Sequence, residues 1–530
     1  MTELLAAAPM LVALVSATVT LGVRRWHRLQ RALSVVGAVA YVAVVGALAW
    51  RVVVDGEALV YQFGGWEAPN GITFVADALT AFMLAITATV ALYAVVFSVR
   101  FVDRPNQRVY YHPLYHFLLL GATGALLAGD LFNLFVWFEV MLMASYVFVV
   151  FYGAEKHTAA AMRYVVLNIV GGVLMLVGIG GLYAVTGTLN MARMAEVLAS
   201  PELAPTDTAP VVGLAGLLLV TFALKAGLVP FQFWVPSAYR AAPIPIAALF
   251  AGATKKVGIY AIIRLYFTVF GDAAVTAQVP AVATESAPLA VLAPVLLVMG
   301  AASVLLGGVG AVGQDELDGL FAYSSIGQVG FIAVPLALAA ATTSPTLRHL
   351  GVLAGLVYAL HHALTKGLLF LLTGVVRDGM GTTRLSDLGG IGQRSPAFAG
   401  VFFVGTLSLV GIPPLTGFFG KLFAFDAAAR AFDSSPTAGS ALVVGVLLVG
   451  AFLTIVYTTR AWLGVIWGAE SAAVTDGRID QMEVAVLVTL AALVVAVGVG
   501  FEPVYQFADA AADAALDSDE YIDLVVGETE

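Results

Sequence analysis

Fourteen stretches of this chain are continuously apolar for about 17 to 25 residues, the length a helix needs to cross the hydrocarbon of a bilayer. They lie near 3 to 23, 32 to 54, 72 to 98, 114 to 129, 131 to 152, 161 to 186, 211 to 236, 244 to 270, 289 to 311, 317 to 340, 350 to 376, 397 to 425, 440 to 467 and 482 to 506. Lipid satisfies no backbone donor or acceptor, so runs of this kind fold as helices; barrel strands would alternate over about ten residues. Only 11% of the 530 residues are charged and 61% are hydrophobic, with a mean hydropathy of +0.96, against about 25% charged in ordinary soluble domains. The expected fold class is an all-α polytopic membrane protein of about 14 transmembrane helices.

The loops orient those helices. Loops after odd-numbered runs carry fifteen Arg and Lys residues and the others only Arg51, Arg193, Arg348 and Arg430, which puts the odd loops in the cytoplasm and both termini outside. The first run has no basic residue before it, so it reads as a retained span rather than a cleaved signal. A final segment, Asp509 to Glu530, is acidic and free of Lys and Arg; it reads as disordered or as a partner contact, disorder being the preferred reading. The net charge of −9 argues against nucleic acid, and the absence of cysteine removes iron–sulfur clusters, thiolate zinc, disulfides and Cys nucleophiles.

Lysine is distributed against expectation. Of six lysines, five (Lys225, Lys255, Lys256, Lys366 and Lys421) lie inside apolar runs, and only Lys156 is in a loop. With Glu139, near the middle of the run 131 to 152, these groups carry a gross insertion cost on the order of 15 kcal/mol. Arginine stays protonated, whereas a buried lysine can release its proton near neutrality, so lysine suits proton exchange better than fixed-charge anchoring. Snorkelling to the headgroups accounts for whichever of Lys255 and Lys256 faces away, since helix neighbours point about 100° apart. It accounts poorly for Lys225 and Lys421, deep in their runs.

Other polar residues fall beside these. His362 and Lys366 are four apart and share a helix face, with His361 turned from it. A metal site at the histidines is not expected, for no carboxylate or third imidazole is near in sequence. Asp130 reads as an interfacial helix cap; Asp77, close to a run's end, is open between a structural and a functional role. Pro230 and Pro236 follow Lys225, and Pro413 and Pro414 precede Lys421, so both helices should be broken at membrane depth, as at ion sites. Gly308, Gly310 and Gly313 match a dinucleotide-loop spacing, but no strand precedes them and helix packing explains them better. Ser324, Ser325 and Gln328 either join helices by hydrogen bonds or hold water for a proton path.

The segments GDLFNLFVWFEVMLMASY, FALKAGLVPFQFWVPSAY, TKKVGIYAIIR, HHALTKGLLF and GIPPLTGFFGKLFAF occur in that order. Together they resemble the antiporter-like subunits shared by respiratory complex I, membrane-bound hydrogenases and multisubunit Mrp cation/proton antiporters. The glutamate-bearing segment is most similar to the D-subunit branch of the Mrp systems, and the length after the last run suits that branch. The resemblance implies that Glu139 and Lys225 pair on the fifth and seventh helices. Lys256 would follow on the eighth, His362 and Lys366 on the eleventh and Lys421 on the twelfth, with Lys255 and His361 as second choices. It also implies two inverted five-helix repeats (helices 4 to 8 and 9 to 13), with helices 7 and 12 broken. The units expected are 1–110 (helices 1 to 3), 111–270, 285–467, 482–506 (the last helix) and the tail 507–530.

The function this implies is a proton-conducting subunit of a multisubunit cation/proton antiporter, with sodium/proton exchange as the first choice, in the cell membrane. It would work without a cofactor and with other membrane subunits as partners. The alternative is the same proton path inside a redox-driven complex; a solute permease would not need a continuous ionisable axis.

Overall fold

The computed structural model describes residues 3–102, 105–200, 205–273 and 288–527. Arg104, position 285 and the last three tail residues lie outside them. Apart from two short helices, Ile391–Arg394 and Ala472–Asp476, the helices in chain order are α1 (Leu4–Gly22), α2 (His27–Val53), α3 (Ala78–Phe101), α4 (Pro105–Leu127), α5 (Leu131–Val149), α6 (Glu155–Thr186), α7 (Met191–Ala199), α8 (Pro205–Ala226), α9 (Trp234–Ala241), α10 (Ile244–Val269), α11 (Pro288–Val312), α12 (Leu317–Ala340), α13 (Pro345–Met380), α14 (Pro396–Val410), α15 (Thr416–Ser434), α16 (Ala438–Val465), α17 (Gln481–Val499), α18 (Phe501–Leu516) and α19 (Ser518–Val526). Among the described residues eleven helices are long and apolar enough to cross a membrane, and the apolar parts of α8 and α14 are shorter.

Both helices end at breaks that hold proline, Pro230 in the first, while Pro236 falls inside α9. α8 ends one residue after Lys225, at Ala226, and the path resumes as α9 at Trp234. Gly227, at the break, has φ +71°, a left-handed conformation that only glycine adopts freely. A Cβ there would also press within 2.9 Å of Lys255 Cε. The second break, between Val410 and Thr416, holds Pro413 and Pro414.

One element departs from an all-helical chain. β1 (Leu59–Gln62) and β2 (Thr73–Ala76) form an antiparallel hairpin between α2 and α3, with Leu59 opposite Ala76. Both strands are short and rich in Val, Phe, Tyr and Thr, which suit a pleated surface.

Three helices form the inner core. α10, α12 and α13 are buried around nearly their whole circumference, whereas α1, α2, α6 and α16 present broad apolar faces outward. The glycine-rich stretch of α11 serves packing: a Cβ on Gly307 would meet the Gly327 backbone at 2.2 Å, and one on Gly310 would meet the Tyr323 ring at 2.3 Å. Close approach between α11 and α12 is what those glycines permit.

The acidic tail is ordered, which corrects the expectation of disorder. α18 and α19 are helices whose Ala508, Ala511, Ala512 and Ala515 are fully buried. Ser518 Oγ donates to Thr268 O at 2.5 Å and Thr268 Oγ1 donates to Ala515 O at 2.8 Å. The alanines fall at i, i+3, i+4 and i+7, one face of a helix, so the tail docks by that stripe.

Candidate functional site

The inner helices α10 and α13 carry five of the ionisable groups, and three of these, Lys255, Lys256 and His362, are joined by hydrogen bonds. Lys255 and Lys256, consecutive on α10, are both buried. Lys255 Nζ donates to Ser325 Oγ at 3.3 Å, and Ser325 Oγ lies 3.1 Å from His362 Nε2. Lys256 Nζ contacts the other ring nitrogen, His362 Nδ1, and donates to Ala251 O at 2.6 Å. That carbonyl belongs to a π-helical turn, Phe250–Thr254, where the wider winding frees a carbonyl from its usual partner. Both lysines therefore face one imidazole, and neither points to lipid. When Lys256 donates to Nδ1, the neutral imidazole carries its own proton on Nε2.

Lys366, one turn beyond His362 on α13, donates to Ser324 Oγ at 2.6 Å and to Phe321 O at 3.3 Å. Ser324 continues to Tyr457 OH at 2.7 Å, Gln328 Nε2 donates to the same oxygen at 3.2 Å, and Tyr358 OH donates to Gln328 Oε1 at 2.5 Å. Ser324, Ser325 and Gln328 thus act as hydrogen-bonding links between helices. His361 faces the second break: its Nδ1 lies 3.2 Å from both Thr416 Oγ1 and Thr365 Oγ1, while its Nε2 is buried without a partner among the described residues. Lys421 donates to Val410 O at 2.6 Å, the last carbonyl of α14, where a helix terminus favours a cation.

At the other end, Lys225 does not bond to Glu139. Its Nζ donates to Asn168 Oδ1 at 3.0 Å, and Glu139 Oε1 is buried with no hydrogen-bond partner among the described residues. Asn168, on α6, was not visible as a site residue in the sequence, because a neutral amide can satisfy itself on its own helix, as Nδ2 does on Tyr164 O. Asp130 caps α5, accepting from Asn133 N at 2.7 Å.

Asp77 proves structural. It caps α3 through Thr80 N at 2.9 Å and pairs at 2.5 Å with Arg264, a fully buried arginine near the end of α10 that a survey of lysines passes over. Arg264 is sandwiched by the Tyr260 and Tyr521 rings, 5.5 and 4.7 Å from their centroids, so the tail helix α19 closes over the pair.

A further polar seam joins α2 to α4. Ser34 Oγ lies 2.9 Å from His112 Nδ1 and 3.0 Å from His116 Nε2, and Tyr41 OH lies 2.7 Å from Thr123 Oγ1. Ser34 and Tyr41 are seven apart, as are His116 and Thr123, so two parallel helices meet in register. For metal, the group whose donor atoms converge among the described residues is His349 with Asp509 and Asp513. There His349 Nε2 already contacts both carboxylates, at 3.4 and 3.1 Å.

A many-spanned helical body holding buried lysines, histidines and a carboxylate across its interior defines a membrane ion-translocating subunit. Residues 128–448 match the family described as NADH:quinone oxidoreductase/Mrp antiporter, TM. The D subunit of the Na(+)/H(+) antiporter of Alkalihalophilus pseudofirmus is 34% identical over 522 residues, covering 98% of this chain and 99% of that protein. A chain in the Mrp complex of Dietzia sp. DQ12-45-1b is 29% identical, with a TM-score of 0.85 and coverage of 99% and 100%. A chain of the archaeal membrane-bound sulfane sulfur reductase is 28% identical, with a TM-score of 0.86 and coverage of 98% and 99%. The chain belongs to that family, and within it to the D-subunit group of the Mrp cation/proton antiporters. It is a multi-pass plasma-membrane protein and a transporter subunit that works with other membrane subunits.

Proposed function

We propose that this subunit conducts protons along Glu139, Lys225, Lys255, Lys256, His362, Lys366, His361 and Lys421, in exchange for a monovalent cation, sodium being the first candidate. The observation that carries the reading is the His362 junction: one imidazole touches Lys256 directly and reaches Lys255 through Ser325. A proton taken up at one ring nitrogen can leave from the other, so the ring passes charge between two lysines without moving far. Protonating one lysine disfavours the charge on its neighbour, which couples successive sites electrostatically. A unit charge crossing 100 mV is worth about 2.3 kcal/mol, within reach of such coupling.

The proposal includes fourteen spans, the two broken ones being α8 with α9 and α14 with α15, and both termini outside. It also includes two inverted repeats within 111–270 and 285–467, flanked by the units 1–110, 482–506 and 507–530. Each proposed repeat contains one interrupted helix bearing a lysine at its break. The test is sodium- or potassium-driven pH change in vesicles holding the whole complex. Lys366→Met and His362→Gln should each lower exchange by at least about tenfold, the loss expected when one proton-transfer group is removed; undiminished exchange in both would contradict the path.

The likeness to a chain of a sulfane sulfur reductase complex supports a second reading, the same path driven by redox subunits. Co-purifying partners separate the two: small cation-antiporter subunits favour the first, cluster-bearing subunits the second.

A further inference from the structure

Asn168 sits where α6 passes both Glu139 and Lys225. Its amide is oriented by the backbone: Nδ2 donates to Tyr164 O at 2.8 Å, which turns Oδ1 toward Lys225 Nζ, 3.0 Å away. The side chain is almost fully buried, and Thr221 Oγ1, donating to Gly171 O at 3.3 Å, ties α8 to α6 beside it. One turn along, on the same face of α6, stands Gly172. A Cβ there would lie 3.0 Å from Glu139 Oε1, a buried carboxylate oxygen. The helix therefore offers the lysine an acceptor and passes close against a carboxylate oxygen that has no hydrogen-bond partner among the described residues.

We propose that Asn168 is a positioning residue: a neutral station that holds Lys225 off Glu139, so that the lysine alternates between the amide and the carboxylate. The inference rests on the reading that Glu139 and Lys225 exchange protons. Its chemical content lies in neutrality. An amide oxygen accepts an N–H from –NH₃⁺ and from –NH₂ alike, so it holds the side chain without fixing its proton. A carboxylate in the same place would favour the charged lysine strongly. Glutamine would carry the same group one methylene further and misplace it, which the packing around a nearly fully buried side chain resists.

Whole-complex vesicles with Asn168→Asp, Asn168→Leu and Asn168→Ser test this through cation-driven pH change measured across pH, with subunit assembly checked by co-purification. Asn168→Asp, nearly isosteric, should lower exchange at neutral pH and move its pH profile upward by about 1 to 3 units, the effect of an opposite charge at this range. Asn168→Leu should also lose exchange, and Asn168→Ser, which restores an acceptor, should recover part of it. Wild-type rates and profiles in all three would overturn the inference. So would equal losses with an unshifted profile, the mark of a packing role; if Asn168→Leu fails to assemble, Asn168→Asp decides by its profile. Glu139→Ala and Lys225→Ala run alongside: if they abolish exchange while the Asn168 variants behave as wild type, this inference alone falls. If they too leave exchange intact, the underlying path falls with it.

Discussion

Asp77 and Arg264 show how much one residue can hold at the end of this molecule. The pair is buried, bonded at 2.5 Å and covered by Tyr521, so removing one partner leaves an uncompensated charge in a dry place. Asp77→Ala should destabilise the protein by about 3 to 5 kcal/mol, read as a lowered melting temperature of the purified complex. Asp77→Leu combined with Arg264→Met, which removes both charges, should recover most of that loss; a double variant as unstable as the single one would contradict this role for the pair. The residues that sequence alone exposed were those whose burial is expensive. Lys225, Lys255, Lys256, Lys366, Lys421 and Glu139 stand out because apolar runs rarely tolerate charge. Asn168, Ser34 and the two histidines of α4 carry no such signal, since their meaning lies in which neighbour they face. Arg264 sits near a run's end, where an arginine passes for an interfacial anchor.

At the scale of elements, the breaks in α8 and α14 were legible from proline, whereas the docking of the tail was not. Acid residues dominate its composition, and the alanine face at 508, 511, 512 and 515 speaks only through its spacing. That docking should respond to pH through Glu520, whose carboxyl is held above the usual range by partial burial, with Asp517, Asp77 and Asp513 adding repulsion. A carboxyl raised in the docked state adds stability below its ordinary titration range, and that contribution is lost as pH rises through its raised value. Hydrogen exchange in α18 and α19, corrected for intrinsic rates, should therefore show tighter docking in mild acid, and Glu520→Gln should flatten the dependence. An unchanged profile in that variant would assign the effect elsewhere. The seam between α2 and α4 gives a matching test: Ser34→Ala strips both imidazoles of their shared hydroxyl and should cost about 1 to 3 kcal/mol. A melting temperature equal to wild type would show that the seam does not hold those helices.

For the whole molecule, the arrangement that matters is three inner helices: α10 and α13 carry lysines and histidines, and α12 supplies Ser325 to Lys255 and His362 and Ser324 to Lys366. Helices with more lipid-facing surface bring Glu139, Lys225 and Lys421 to its ends. Apolar run length and the ordered segments indicated a membrane antiporter-like body; the links between its ionisable groups required the packed helices, because they cross from one span to another. The proposed path is most exposed to test at its Glu139–Lys225 end, since the two groups are neighbours yet unbonded in this conformation. The most direct measurement is cation-driven pH change in vesicles containing the complete complex, comparing wild type with Glu139→Ala and Lys225→Ala at equal assembly. The proposed path predicts that each substitution abolishes most exchange; full exchange in both variants would contradict it.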